Sequence, residues 1–493
     1  MATEKLKSAQ GDMQYSEFTS LLNKEFKPRT DEAKSMVEAA VKTLATHALS
    51  QAKLISNDVF DSVQAMIAEI DRKLTDQINQ ILHHADFQKM ESAWRGLYHV
   101  VSNTETDEML KIRVLNISKT DLHKTLRRYK GTNWDQSPIF KQVYEAEYGQ
   151  FGGEPFGCLV GDYYFDHSPP DVELLGEIAK VGAAGHCPFI GGSSPSLMQM
   201  ESWQELSNPR DLTKLFTTPE YMSWRSLRDS EEAQYIGLAM PRFLSRVPYG
   251  AKTNPVDEFA FEEETASGSH DKYGWSNAAY AMATNITRAF STYGWCTQIR
   301  GIESGGAVEN LPVHSFPTDD GGVDMKCPTE IAISDRREAE LAKNGLMPLI
   351  HKKNSDFAAF IGAQSLHRPA EYDDPDATAN ARLGARLPYI FAVSRFAHYL
   401  KCIVRDKVGT FKTRENMERW LNDWIVTYVD GSPNTSSDEV KSRKPLAAAQ
   451  VEVTEVEGNP GYYASKFFLR PHYQLEGLTV SLRLVSKLPS EKK

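Results

Sequence analysis

The sequence lacks the cysteine pattern that would cross-link a small fold or hold a zinc ion. Its 493 residues include only five cysteines, which are dispersed and contain no C-x-x-C pair. Such a set predicts reduced thiols rather than disulfides or a zinc site. No apolar run approaches the roughly 20 residues that cross a bilayer, and the start, MATEKLKSAQGD, has no signal-peptide core. We therefore expect a cytoplasmic protein with no metal and no membrane insertion.

An excess of basic residues is also missing, as are cofactor-binding motifs. The net charge is -10, whereas nucleic-acid binding needs a concentrated basic surface. The glycine-rich segments 149–161 and 301–306 lack the spacing of a phosphate loop or a dinucleotide fold. The serines that follow Gly191 and Gly192 form no G-x-S-x-G elbow. These absences argue against nucleic acid as a partner, against any cofactor and against an enzyme.

What the sequence does contain is typical of an ordinary globular protein, with 41% hydrophobic and 25% charged residues. Its length exceeds the limit of about 250 to 300 residues for one core, so two or three domains are expected. Helix signals come first and then alternate with strand signals, which favours a mixed α/β fold. We expect a helical arm at 1–56, long helices at 57–109, an α/β domain at 110–379 and an α+β module at 380–493.

Two apolar stripes predict helices in the N-terminal part. The first ends before Pro28 and predicts a short amphipathic helix, which could pack on its own domain or act as a docking peptide. It comprises Phe18, Leu21, Leu22 and Phe26. The second runs through 58–85 and predicts a helix of roughly 40 Å that needs a partner surface. Its apolar positions include Val63, Ile67, Ile70, Leu74 and Ile78.

Strand and helix candidates alternate through the central part. The strand candidates are 110–117, 156–165, 187–190, 235–240, 296–299, 330–333 and 357–361. The helix candidates between them include 172–184, 280–293 and 335–344. This alternation favours an α/β domain with some antiparallel pieces.

The C-terminal part begins with a long predicted helix, 379–408, in which Pro388 is a possible kink. A second helix, 413–428, carries mixed charges that form a solvated face or face a charged partner. They include Arg414, Glu418, Arg419 and Asp423. Two strand candidates, 450–456 and 462–470, are joined by a Gly/Pro turn and predict a hairpin.

The clearest strand is the last one, 475–488. Leucine and valine side chains alternate with polar ones, the pattern of a strand with one buried face. The apolar set is Leu478, Val480, Leu482 and Leu484. Edge strands are normally protected by charge or proline, yet this one carries a single internal charge, Arg483, and no internal proline. Strand exchange between subunits would explain the missing protection.

Long blocks of the sequence resemble a known family. They are HHADFQKMESAWRGLYHVV from His83, SLRDSEEAQYIGLAMPRFLSRVPYG from Ser226, the block from Trp295 to Ser365, LGARLPYIFAVSRFAHYLKCI from Leu383 and RPHYQLEGLTVSLRLVSKLP from Arg470. The blocks run from about residue 80 to the end. They resemble the large contractile-sheath subunit of bacterial type VI secretion, the TssC/VipB family.

The resemblance implies a set of partners. A small sheath subunit of the TssB/VipA type would join this chain in six-fold helical rings around an Hcp-type tube, and contraction would propel the tube. A baseplate and a ClpV-type disassembly ATPase complete the set.

The resemblance also implies roles for the residues above. The helix with Val63 and Ile67 would clasp the small subunit, and the arm with Phe18 would meet the ATPase. The central domain would form the outer layer, and the C-terminal phage-tail-sheath-like module would exchange strands through its terminal leucines. The charges from Arg414 to Asp423 are possible tube contacts.

Two other classes stay open on the residues alone. A hetero-oligomeric adaptor would share the helical arm and the terminal strand but would form no filament. A cytoplasmic α/β enzyme should carry a cofactor or nucleophile arrangement, which the sequence lacks.

Overall fold

The structure is a computed structural model that describes Ala39 and residues 59–208, 211–265, 270–317, 321–407, 413–456 and 463–474. The chain forms two compact units. The first contains the described residues up to Gln88 and those of 247–273, and the second contains the rest. The expected mixed α/β fold is confirmed.

The α-helices are α1 (Val59–Leu82), α2 (Ala85–Ser102), α3 (Lys119–Arg128), α4 (Pro138–Phe140), α5 (Pro169–Gly185), α6 (Leu212–Leu215), α7 (Met222–Asp229), α8 (Ala278–Tyr293), α9 (Asp335–Lys343), α10 (Pro375–Gly384), α11 (Leu387–Lys407), α12 (Arg414–Val426) and α13 (Asp438–Arg443). A π-helical stretch, Lys141–Tyr148, directly follows α4. Within the described residues, no helix is long and apolar enough to cross a membrane.

The strands are β1 (Leu159–Phe165), β2 (Phe189–Ser193), β3 (Ile236–Met240), β4 (Phe243–Leu244), β5 (Trp275–Ser276), β6 (Ala307–Val308), β7 (His314–Pro317), β8 (Val323–Lys326), β9 (Leu346–His351), β10 (Ala358–Phe360), β11 (Leu446–Glu455) and β12 (Tyr463–Pro471). Six of them form the central sheet in the order β1-β2-β3-β9-β10-β6. The first four are parallel, and β10 runs antiparallel to both of its neighbours.

The central sheet is buried on both faces. Successive residues of its strands enter different cores: Leu238 joins one apolar cluster with helix α5, and Ala239 joins another with helices α8 and α11. Because successive side chains of a strand point to opposite faces, the two clusters lie on opposite sides of the sheet. Parallel strands covered in this way read as continuous apolar runs instead of alternating patterns.

Several predicted elements differ in the structure. Residues 110–117, 296–299 and 330–333 form no strand, and β9, which lies between β3 and β10, was not predicted. The predicted helix 379–408 is two helices, α10 and α11. Pro388 therefore does not kink a long helix: it lies in the first turn of α11, where its missing N–H costs no helical hydrogen bond.

The C-terminal module combines α11, α12, α13 and the predicted hairpin, which β11 and β12 confirm. Its core includes Phe396, Leu421 and Val451. Trp295 from the segment after α8 belongs to the same core, with its ring centroid 4.4 Å from that of Phe396. Residues 296–299 directly follow Trp295, which packs in the core of the C-terminal module, and they pair with no described strand.

Candidate assembly surfaces

Helix α1, predicted to clasp the small subunit, packs on a short segment of its own unit. The Asn79 amide donates to the carbonyl of Glu262 (3.2 Å) and accepts from the N–H of Glu264 (2.9 Å). His83 lies 3.6 Å from the Glu263 carboxylate. Burial lowers the pKa of His83, and Glu263 opposes that shift. These polar contacts fix one face of α1.

The predicted contact residues of α1 do not all lie on one surface. Ile67 is 49% exposed, whereas Ile70, Leu74 and Ile78 are half-buried. The side chain of Val63 lies outside the described residues. Ile81, which the prediction omitted, is 56% exposed. Among the side chains of α1 that the structure describes, the large water-facing apolar ones are Ile67 and Ile81, about four helical turns apart.

Helix α2 carries an exposed stripe that the sequence analysis did not single out. Four large apolar side chains, spaced by four, four and three residues, lie on one helix face. They are Met90, Trp94, Tyr98 and Val101, with Trp94 at 69% and Tyr98 at 68% exposure. Three more exposed apolar residues follow in the chain: Met109, Val114 and Leu115. A stripe of exposed aromatic residues on one face is a common mark of an interaction site.

The opposite face of α2 is held tightly. Gly96 lies against Tyr280, and a Cβ atom there would come within 2.3 Å of the ring. The Ser276 hydroxyl donates to the carbonyl of Ser92 (3.0 Å). Arg246 donates to the Glu91 carboxylate (2.6 Å) in a nearly buried pair. The small residues at 92 and 96 were the sequence signal for the packed face, and they identify the aromatic stripe as the outer one.

One edge of the C-terminal hairpin is covered. The Asn422 side chain of α12 accepts from the N–H of Val451 (3.0 Å) and donates to its carbonyl (2.9 Å), as a neighbouring strand would. The Glu418 carboxylate accepts from the N–H of Val453 (3.1 Å). Since edge strands invite pairing with other chains, α12 blocks that pairing along β11.

The other edge of the hairpin, along β12, is open as far as the described residues go. Val451 and Val453 direct their N–H groups away from β12, so they form non-hydrogen-bonded pairs with Phe467 and Ser465. The N–H and carbonyl groups of Ser465 and Phe467 therefore point away from β11. Within the part of the chain that the structure describes, no backbone group bonds to that edge.

The charges on α12 do not form a single set. Arg414, Arg419 and Asp423 are exposed, and Arg414 pairs with Glu415 at 3.2 Å. Glu418 is half-buried and holds the edge of β11.

Two predicted sites lie outside the described residues: the terminal strand with Leu478, Val480, Leu482 and Leu484, and the arm helix with Phe18, Leu21, Leu22 and Phe26.

Comparison with known proteins places this fold among contractile sheaths. Residues 64–367 match the family described as "EvpB/VC_A0108, tail sheath N-terminal domain". Residues 376–488 match its "tail sheath gpW/gp25-like domain". The chain belongs to the TssC/VipB family of large type VI secretion sheath subunits.

A curated relative agrees over the whole length. The type VI secretion system sheath protein TssC1 of Pseudomonas aeruginosa is 72% identical over 493 residues, covering 100% of this chain and 99% of that protein. Solved structures are more distant. The anti-feeding prophage baseplate aligns with 77% of this chain and 84% of its own at 11% identity and a TM-score of 0.37. The contracted anti-feeding prophage sheath covers 64% and 68%, at 10% identity and a TM-score of 0.31.

Proposed function

We propose that this chain polymerises in the cytoplasm with a small sheath subunit of the TssB/VipA type into six-fold helical rings around an Hcp-type tube. Contraction of the sheath, which also contacts a baseplate, then propels the tube into target cells. The chain acts as a structural subunit and not as an enzyme. Its family membership supports this proposal, and the open edge of β12 is the structural observation that carries it.

A strand from another protomer completes the hairpin sheet in this proposal. Such a strand would bond to the outward N–H and carbonyl groups of Ser465 and Phe467. The terminal segment has the required alternation, with Leu478, Val480, Leu482 and Leu484 on one face. Because α12 covers the edge of β11, the added strand has one edge of the hairpin to join.

The small subunit binds on the N-terminal helices in this proposal. The exposed residues Ile67 and Ile81 on α1 and the aromatic stripe on α2 support it. Burying a large apolar side chain contributes roughly 1.5 to 3 kcal/mol before ordering costs. The tryptophan and tyrosine of the α2 stripe are residue types enriched at binding hot spots.

Two further contacts belong to the same proposal. The arm helix with Phe18, Leu21, Leu22 and Phe26 binds a ClpV-type ATPase that recycles the sheath. The exposed charges Arg414, Arg419 and Asp423 face the tube, and the inward Glu418 stabilises the module that presents them.

The test is co-expression with a small sheath subunit, followed by negative-stain microscopy of the intact chain and of a variant lacking residues 475–493. The intact chain should give long tubes, and the truncated chain should give none while its central domain stays folded. Discrete complexes from the intact chain would favour an adaptor instead. Normal tubes from the truncated chain would refute strand exchange.

The arm is tested separately. Phe18→Asp together with Leu22→Asp should leave tubes and contraction intact and abolish capture of the ATPase in a pull-down. Undiminished capture would contradict the assignment of the arm helix.

A further inference from the structure

The chain just beyond the hairpin is held by hydrogen bonds from Gln474 to the segment that follows α8 and to helix α11. Its side-chain oxygen accepts from Arg300 Nε (2.8 Å), and its amide nitrogen donates to the carbonyl of Thr297 (3.0 Å). Its backbone N–H donates to the Tyr389 hydroxyl (3.0 Å). Three hydrogen bonds thus converge on the residue that precedes the terminal segment.

The partners of Gln474 are rigidly placed. Arg300, Thr297 and Tyr389 are each less than 10% exposed. The N–H of Gly301, next to Arg300, donates to the carbonyl of Phe360 in β10 (2.7 Å). A short path of hydrogen bonds therefore joins Gln474 to the central sheet through Arg300 and Gly301.

The same residue lies just beyond the point where the hairpin ladder ends. β12 finishes at Pro471, and His472 donates its N–H to the carbonyl of Pro445 (3.2 Å). A pull on the chain beyond residue 474 would otherwise act on β12 from its end. Ladder hydrogen bonds loaded from an end break one after another, so each resists the load alone, and a single such bond contributes little net stability.

We propose that Gln474 is a mechanical anchor, a positioning residue that transfers load on the terminal segment to the central sheet through Arg300 and so protects the β11–β12 hairpin from peeling. The anchor itself follows from the contacts above. Its role under load rests on the proposed function, because the sheath supplies the load. The hydrogen bond to a charged guanidinium makes it stronger than a ladder bond.

The anchor is tested directly by limited trypsin digestion of the full-length chain. Gln474→Leu keeps a side chain of similar size and removes both side-chain hydrogen bonds. Cleavage after Lys466, within β12, should become about tenfold faster, as expected for the loss of side-chain hydrogen bonds to buried partners. Tyr473→Ala, at an adjacent exposed residue, is the matched control and should cleave at the wild-type rate. Equal rates for wild type and Gln474→Leu would overturn the anchor.

A conservative variant separates the two side-chain bonds. Gln474→Glu keeps an acceptor for Arg300 and loses the donor to Thr297, so its cleavage rate should lie between those of wild type and Gln474→Leu. A rate equal to that of Gln474→Leu would contradict the path through Arg300.

The load-bearing role is tested in tubes formed with the small subunit. Gln474→Leu should give sheaths that fragment several-fold more under shear than Tyr473→Ala sheaths, with the urea midpoint of the central domain unchanged. Sheaths as robust as wild type would refute the role under load and leave the proposed function standing if removal of residues 475–493 still prevents tubes. Tubes from that truncated chain would instead refute strand exchange.

Discussion

The central sheet and the C-terminal hairpin differ in how much of their surface the described chain covers. The sheet has six strands, with apolar clusters on both faces and helices over them. In the described part of the chain the hairpin has two strands, with one edge covered by Asn422 and Glu418 and the other edge unpaired. A two-stranded hairpin is marginal by itself. The central sheet thus buries both of its faces within one chain, whereas the hairpin leaves the edge of β12 unpaired among the described residues.

The largest expected effect comes from blocking the open edge. Ser465→Pro removes an N–H that points away from β11, so the hairpin ladder persists while strand addition is prevented. We expect a complete loss of tubes by electron microscopy. Lys466→Pro is the matched control, because its N–H points toward β11 and its loss breaks the ladder. Ser465→Pro chains that form normal tubes would contradict an open assembly edge, and Lys466→Pro should be the less stable variant.

The stability of the central sheet can be tested by a substitution in its core. Trp224 is fully buried in the cluster that includes Leu238. Trp224→Ala should lower the free energy of unfolding by about 3 to 5 kcal/mol through lost burial and a cavity. Urea unfolding followed by circular dichroism measures this loss. Val323→Ala, at a residue that is 79% exposed, should change stability by less than about 0.5 kcal/mol.

The free energy of unfolding should depend on pH through a contact between helices α11 and α5. His398 of α11 is buried and donates through Nε2 to the carbonyl of Gly185 (2.8 Å) at the end of α5. Burial lowers its pKa to about 4. The unfolded chain, with an ordinary histidine pKa near 6.5, binds the extra proton first. The stabilising contribution is therefore complete above about pH 6.5 and is lost as the pH falls toward 4.

The size of this effect is about 3 kcal/mol, at 1.36 kcal/mol for each pKa unit. Unfolding in urea at several pH values between 7 and 4 measures it. His398→Gln can still donate to Gly185 and carries no titrating proton, so it should flatten the dependence. An unchanged pH profile in that variant would rule out His398 as the source.

The smallest effect concerns the covered edge. Asn422→Ala removes both hydrogen bonds to Val451 and should cost about 1 to 3 kcal/mol of module stability. It should also open the edge of β11, so tubes should form together with irregular aggregates. Thermal unfolding and light scattering check the two parts. Asn416→Ala, at an exposed position of the same helix, should alter neither.

The elements that the sequence predicted well are those with a local pattern. Helices α5 and α8 follow helical periodicity, and α8 begins at Asn277, whose side chain accepts from the N–H of Ala279 (3.0 Å). It ends at Gly294 with φ 78°, a conformation that suits glycine. The hairpin was signalled by two alternating runs and a Gly/Pro turn. In each case the signal lies within one element.

The failures have non-local causes. β9 reads Leu-Met-Pro-Leu-Ile-His and shows no alternation, because both of its faces are buried. The segment 110–117 has strand-forming residues but pairs with no described strand. Its Lys111 and Arg113 instead form ion pairs with Glu154. For the candidate site, the apolar pattern predicted helix faces, but the prediction did not use the small residues Ser92 and Gly96 to tell the packed face of α2 from the exposed one.

By itself the sequence determined the periodic elements, the alternation of the terminal strand and the resemblance to a sheath family. The first two depend on backbone geometry and side-chain spacing within short segments, and the resemblance rests on long blocks of matching sequence. Only the tertiary structure decided which edge of the hairpin is open and where its end is anchored. Asn422 reaches Val451, and Arg300 reaches Gln474, across long stretches of intervening chain. Coverage of an edge depends on such contacts between distant elements, and no local pattern encodes them.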